Sequence, residues 1–94
     1  MSAAPNIQLP PIDDILARAH VVALPMAVKF RGVTTREALL IDGPVTWGEF
    51  APFLEYETPE AAAWLRSAIE CAYVGLPTPK REFVEVNATI PAVA

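Results

Sequence analysis

Over residues 22–30 every second side chain is apolar (Val22, Leu24, Met26, Val28, Phe30), while those between are small or basic (Ala23, Pro25, Ala27, Lys29). A period of two fits only extended backbone, in which successive side chains point to opposite faces, so this run predicts a strand with one core-facing side. Pro25 donates no ladder hydrogen bond, which confines the strand to a sheet edge or breaks it with a bulge. Gly32 then supplies a turn.

Residues 34–41 read as a second strand whose Ala38, Leu39, Leu40 and Ile41 are apolar on both faces, so its end should be covered on both sides. Asp42-Gly43 signals a hairpin, but Pro44 removes an N–H that a tight turn would use, so a slightly longer loop is expected. A third strand over 45–50 completes an antiparallel meander.

Helices flank it. Residues 12–18 offer one or two turns with Asp13 and Asp14 near the start. Thr58-Pro59-Glu60 reads as a helix start with Thr58 as N-cap and Pro59 at the first helical position. Trp64, Leu65, Ala68, Ile69 and Ala72 follow at helical spacing and form one apolar stripe, opposite Arg66, Ser67 and Glu70. Gly75 and Pro77 end this helix, 77–81 is a linker, and 83–90 reads as a last strand ending at Pro91. The expectation is an α+β fold, a three-stranded antiparallel meander packed with helices. It occupies residues 12–81, between a flexible arm at 1–11 and a trailing segment at 82–94.

At 94 residues such a domain buries a small share of its surface, yet 53% of its residues are hydrophobic and its mean hydropathy is +0.33. That is too apolar for a disordered chain, and the surplus must lie on the surface, where it implies a partner. The net charge is −4 with seven scattered basic residues, which leaves no electrostatic footprint for nucleic acid or an anionic membrane surface. Cys71 is the single cysteine; it precludes an internal disulfide and a Cys-based metal knuckle, and fits a reducing cytoplasm. No basic leader precedes an apolar run, and the apolar stretch at 21–28 is interrupted by Pro25, so neither a signal peptide nor a membrane span is expected.

Several groupings invite a chemical reading. Glu49, Glu55 and Glu57 could form a metal or acid–base cluster, although no base with a partner lies near and solvated loop acids are commoner. His20, alone at a helix-to-strand junction, reads as structural. Cys71 follows Trp64 by one heptad and reads as a small buried apolar residue. Lys29 and Arg31, at alternate positions of one strand face before Gly32, could clamp a carboxylate, or could be solvated cations guarding an edge strand. Phe50, Phe53 and Tyr56 form an aromatic loop that either binds something or packs on the Trp64 helix. No Gly-rich phosphate loop, nucleophile elbow or Cys/His metal spacing occurs, so no complete catalytic set is present.

Three stretches together resemble one branch of a known superfamily: residues 24–41, the loop Gly43-Pro44-x-x-Trp47-Gly48-Glu49-Phe50-x-Pro52-Phe53-x-Glu55-Tyr56, and residues 86–92. They are similar to the N-terminal capping domain of the enolase superfamily, and in detail to the actinobacterial type of o-succinylbenzoate synthase. The resemblance implies a cap of antiparallel sheet plus helices over 12–81, with 82–94 leading into a (β/α) barrel. It implies a magnesium-dependent lyase of menaquinone biosynthesis, in the cytoplasm, that dehydrates succinyl-hydroxy-cyclohexadiene-carboxylate to o-succinylbenzoate. The base, a second lysine and the magnesium ligands of that family lie in its barrel, and none is matched here. By position, the cap's two substrate-facing loops correspond to Phe30, Arg31 and Gly32, with Val33, and to Phe50, Pro52, Phe53 and Leu54, with Ala51. Arg31 is the expected contact for the carboxylate of a small-molecule substrate, and Phe50 and Phe53 the apolar wall. The chain then reads as an N-terminal fragment or separately encoded cap, not catalytic alone. The alternatives are a freestanding protein-interaction module derived from such a cap, or the cap of an N-acylamino acid racemase.

Overall fold

A computed structural model describes residues 8–90. The chain runs α1 (Ile12–Arg18), β1 (Ala19–Phe30), β2 (Val33–Asp42), β3 (Trp47–Phe50) and α2 (Thr58–Tyr73), with the strands in the order β1-β2-β3, all antiparallel. This is the expected α+β meander with helices. Most of the arm expected at 1–11, and the last residues of the segment expected at 82–94, lie outside the described residues. Among the described residues no helix is long and apolar enough to cross a membrane.

Both readings of Pro25 hold at once. Strand β1 is an edge, and its register against β2 shifts between Pro25, paired with Thr35, and Phe30, paired with Val33. Over that interval β1 runs through residues 26–29 while β2 advances only through Thr34, so the extra backbone bulges out of the ladder.

The apolar face predicted for β1 is not the core of this chain. Val22 and Met26 are half-buried, but Leu24, Val28 and Phe30 are exposed. The reason is the position of α2, which packs on β3 and β2. The core forms there, from Ile15 of α1, Ile41 of β2, and Ala68, Ile69 and Ala72 of α2, with Leu39, Phe50, Leu65 and Tyr73 packed around it. Ile41 is fully buried, while Leu40, which the pleat points the other way, is half-buried.

Strand β3 is shorter than expected because Val45 and Thr46 use their N–H groups elsewhere. Both donate to the Ala72 carbonyl, at 3.1 and 3.3 Å, and so satisfy one of the acceptors left open at the C-terminus of α2. Residues 43–46 form the longer loop that Pro44 predicted. Helix α2 begins one residue early: Glu57 is the N-cap, and its carbonyl accepts the Ala61 N–H at 2.9 Å; Thr58 is already helical and caps nothing. Pro59 sits in the first turn, where its missing N–H leaves nothing unpaired. Within the predicted stripe Trp64 remains 40% exposed, and Cys71 is half-buried rather than buried, its Sγ–H donating to the Trp47 carbonyl at 3.3 Å. The last strand, expected at 83–90, does not form; the segment is exposed and has no regular secondary structure, and a lone strand has no ladder to hold it.

A polar cluster joins the two helices. The Tyr73 hydroxyl donates to Asp14 Oδ2 at 2.5 Å, and Arg18 Nε donates to the same oxygen at 3.1 Å while its Nη1 reaches the Asp42 carbonyl at 3.1 Å. The Tyr73 hydrogen bond, with smaller help from Arg18, holds the Asp14 carboxyl below its ordinary value of 3.8. Burial, and then the bond to Asp14, hold the Tyr73 phenol above 10.0. The depressed carboxyl stabilises the fold above pH 3.8, and that contribution is lost as pH falls through its folded value. The raised phenol contributes below pH 10.0, and that contribution is lost as pH rises through its own folded value. Tyr73→Phe should therefore return the Asp14 titration toward 3.8, as read by carboxyl-carbon NMR; an unmoved Asp14 would remove the link.

Candidate functional site

The β1–β2 hairpin closes on two residues in the left-handed region, Arg31 at φ 51° and Gly32 at φ 76°. Two positive φ values match the right-handed twist of the paired strands, the geometry in which Asn-Gly is favoured. Arg31 is the single non-glycine residue with positive φ among those described. It is neither small nor able to bond its own backbone as asparagine does.

The turn faces the loop at 51–57 between β3 and α2. Arg31 Nη2 donates to Glu55 Oε1 at 3.1 Å, and its guanidinium lies 4.2 Å from the centroid of the Phe53 ring. Arg36, on β2, approaches the same ring at 5.0 Å, and its Nη2 donates to the Ala51 carbonyl. A guanidinium over an aromatic ring is attracted by the negative π face. From Phe53 the rings continue inward: Tyr56 meets it edge-on at 5.6 Å, and Trp64 of α2 lies 5.4 Å from Tyr56. Tyr56 thus packs on the helix, while Phe53 is flanked by two cations.

These contacts enclose a cleft of about 280 Å³ between turn and loop, with Arg31, Arg36, Glu37 and Glu55 as its charged groups and Pro52, Phe53 and Leu54 as its apolar wall. A more apolar hollow of about 390 Å³ adjoins it, lined by Leu24, Met26 and Phe30 and sharing Arg31, Arg36 and Phe53. Of the residues expected from the sequence, Arg31, Gly32, Pro52, Phe53 and Leu54 meet in the cleft, and Phe30 stands in the neighbouring hollow. Phe50 goes elsewhere: it is half-buried against the core.

Lys29 is exposed and lines neither hollow, so the basic pair at the cleft is Arg31 with Arg36, not Arg31 with Lys29. Arg36 could not be found by counting from the turn. Without the register shift it would stand opposite Ala27; the shift places it opposite Leu24. Glu49 is exposed, and His20 lies 5.9 Å from the Trp47 ring. Among the described residues no three His, Cys, Asp or Glu side chains come together to hold a metal ion. The arrangement sets two guanidinium groups beside an apolar wall, the chemistry that suits an anion joined to an apolar group.

Residues 21–72 match the enolase N-terminal domain-like family. The chain is 63% identical over 86 residues to the o-succinylbenzoate synthase of Mycolicibacterium smegmatis, covering 92% of this chain and 27% of that protein. It is 58% identical over 86 residues to the synthase of Mycobacterium tuberculosis strain H37Rv, covering 92% of this chain and 26% of that one. With the synthase of Mycobacterium marinum it shares 61% over 82 residues, 87% of this chain and 25% of that protein. The chain spans about a quarter of the length of the curated relatives it matches. With more than half its residues matched, on a three-stranded meander flanked by two helices, the chain belongs to the enolase N-terminal domain-like family.

Proposed function

We propose that this chain is the N-terminal cap of an o-succinylbenzoate synthase, closing a (β/α) barrel over a small carboxylate substrate in menaquinone biosynthesis. The observation that carries the reading is the cleft between the Arg31 turn and the Phe53 loop, with guanidinium groups beside an apolar wall. Its similarity to synthases of that name supports the reaction, the dehydration of succinyl-hydroxy-cyclohexadiene-carboxylate. A cytoplasmic location accompanies this reading.

The part played by this chain's residues is positioning. Arg31 pairs with the substrate's carboxylate; Gly32 keeps the turn narrow; Pro52, Phe53 and Leu54 cover the carbon skeleton, with Phe30 beside them and Phe50 supporting the loop from the core side. Closing such a lid removes water, which strengthens every charge interaction beneath it and holds the substrate in a reactive orientation. In the whole synthase a magnesium ion would supply electrostatic stabilisation to the substrate's carboxylate. The described residues do not fit such an ion, and in this reading its ligands and the base belong to the barrel. The exposed apolar side chains Leu54, Phe30 and Val28 suit a face that docks on that barrel.

Mixing the chain with a separately expressed barrel of the Mycolicibacterium smegmatis relative should restore magnesium-dependent formation of o-succinylbenzoate. Arg31→Ala in that mixture should lower kcat/KM by about 10- to 100-fold, the loss expected for one charge-assisted hydrogen bond. Unchanged kcat/KM would remove Arg31 from the substrate. Absence of both activity and barrel binding would favour a protein-interaction module, and racemisation of an N-acylamino acid would reassign the substrate.

A further inference from the structure

The cleft holds a carboxylate of its own. Glu55 occupies Arg31 at 3.1 Å, on the rim of the space where an anionic ligand would lie, and both side chains are open to solvent, 49% and 63% exposed. An exposed ion pair of this kind is weak and exchanges readily. Arg36 differs: it is half-buried, rooted in the middle of β2, and bonded to a backbone carbonyl. Both cations share the Phe53 ring.

We propose that Glu55 is an internal competitor that latches Arg31 in the absence of ligand, that an aromatic or alkyl carboxylate displaces it, and that Arg36 keeps Phe53 in place during the exchange. The inference deepens the reading of the cleft as a carboxylate site and rests on it. The backbone agrees: Arg31 pays for a left-handed φ at a turn position where Asn or Gly would sit without strain, so its side chain, not its backbone preference, accounts for it there. The ligand class follows from the lining, a guanidinium for the carboxylate and Phe53, Leu54 and Pro52 for an apolar body. Displacement is a one-for-one swap of carboxylates on Arg31. It leaves the count of charge pairs on that guanidinium unchanged and frees Glu55 into water.

Sodium benzoate is a suitable probe, titrated into the 94-residue chain while the Nε–Hε signals of Arg31 and Arg36 are followed by NMR, with sodium chloride at equal ionic strength as the control. Benzoate should move the Arg31 signal more than chloride does and leave the Arg36 signal nearly still. Glu55→Gln should bind benzoate about two- to fivefold more tightly, because the competitor is gone; a purely structural Glu55 would give unchanged or weaker binding, which overturns the proposal. Arg31→Gln should abolish the benzoate-specific shifts of the Gly32 and Phe53 backbone N–H signals, which line the same cleft. Equal effects of benzoate and chloride on Arg31 in both the unaltered chain and Glu55→Gln would also overturn it. No barrel enters this titration, so its failure is distinct from a failure to restore synthase activity.

Discussion

Gly48→Ala should destabilise the fold by about 3 kcal/mol, the upper part of the usual range for overpacking. A Cβ at Gly48 would overlap the Ala68 carbonyl oxygen, with the carbonyl carbon at 3.0 Å and the Ala72 Cβ at 3.2 Å. At Gly43 it would overlap the Ala72 carbonyl oxygen, 2.5 Å from its carbon and 2.6 Å from the Ala72 Cβ. In both places the obstacle is helix backbone, which cannot rotate aside, so α2 must lift from β3 and expose Ala68, Ile69 and Ala72 together. Urea denaturation of the chain gives the test, with Gly32→Ala for comparison. At Gly32 nothing lies within 4 Å of the added carbon and only the left-handed φ of 76° is strained, so about 1 kcal/mol is expected. Equal losses at Gly48 and Gly32 would mean that α2 does not sit on β3 as closely as described.

Ile41→Ala should cost about 3–4 kcal/mol, because the side chain is wholly buried where both helices meet β2 and the space it leaves cannot easily close. In a domain this small, that is most of the stability there is to lose. Leu54→Ala, by contrast, should leave the urea midpoint within experimental error, since Leu54 stands fully in solvent. A large loss at Leu54 or a negligible one at Ile41 would contradict the position of the core.

The strands were legible because alternation over 22–30 admits no other local geometry, and Pro25 marked both the edge and the bulge. The site was legible in part. Arg31, Gly32, Pro52, Phe53 and Leu54 lie in the two loops singled out, and they meet. Phe50 departs because it is the last residue of β3, where the pleat turns it toward α2. Arg36 escaped notice because its place depends on a register shift whose size no residue announces. The strand expected at 83–90 failed for a related reason: its apolar residues favour extended backbone, but pairing needs a neighbour.

From α1 to α2, local chemistry along the chain therefore determined the kinds of element, their order, the turn at Gly32 and the loop at 43–46, since each depends on periodicity and on the fixed geometry of Gly and Pro. Tertiary structure alone decided which apolar face is buried. The alternation on β1 is as regular as a core strand's, yet α2 covers β2 and β3 instead, because Gly48 and Gly43 let its backbone approach there. It also decided the partners of Arg31 and Arg36, since a guanidinium on a flexible stem takes the ring and carboxylate that folding brings within reach.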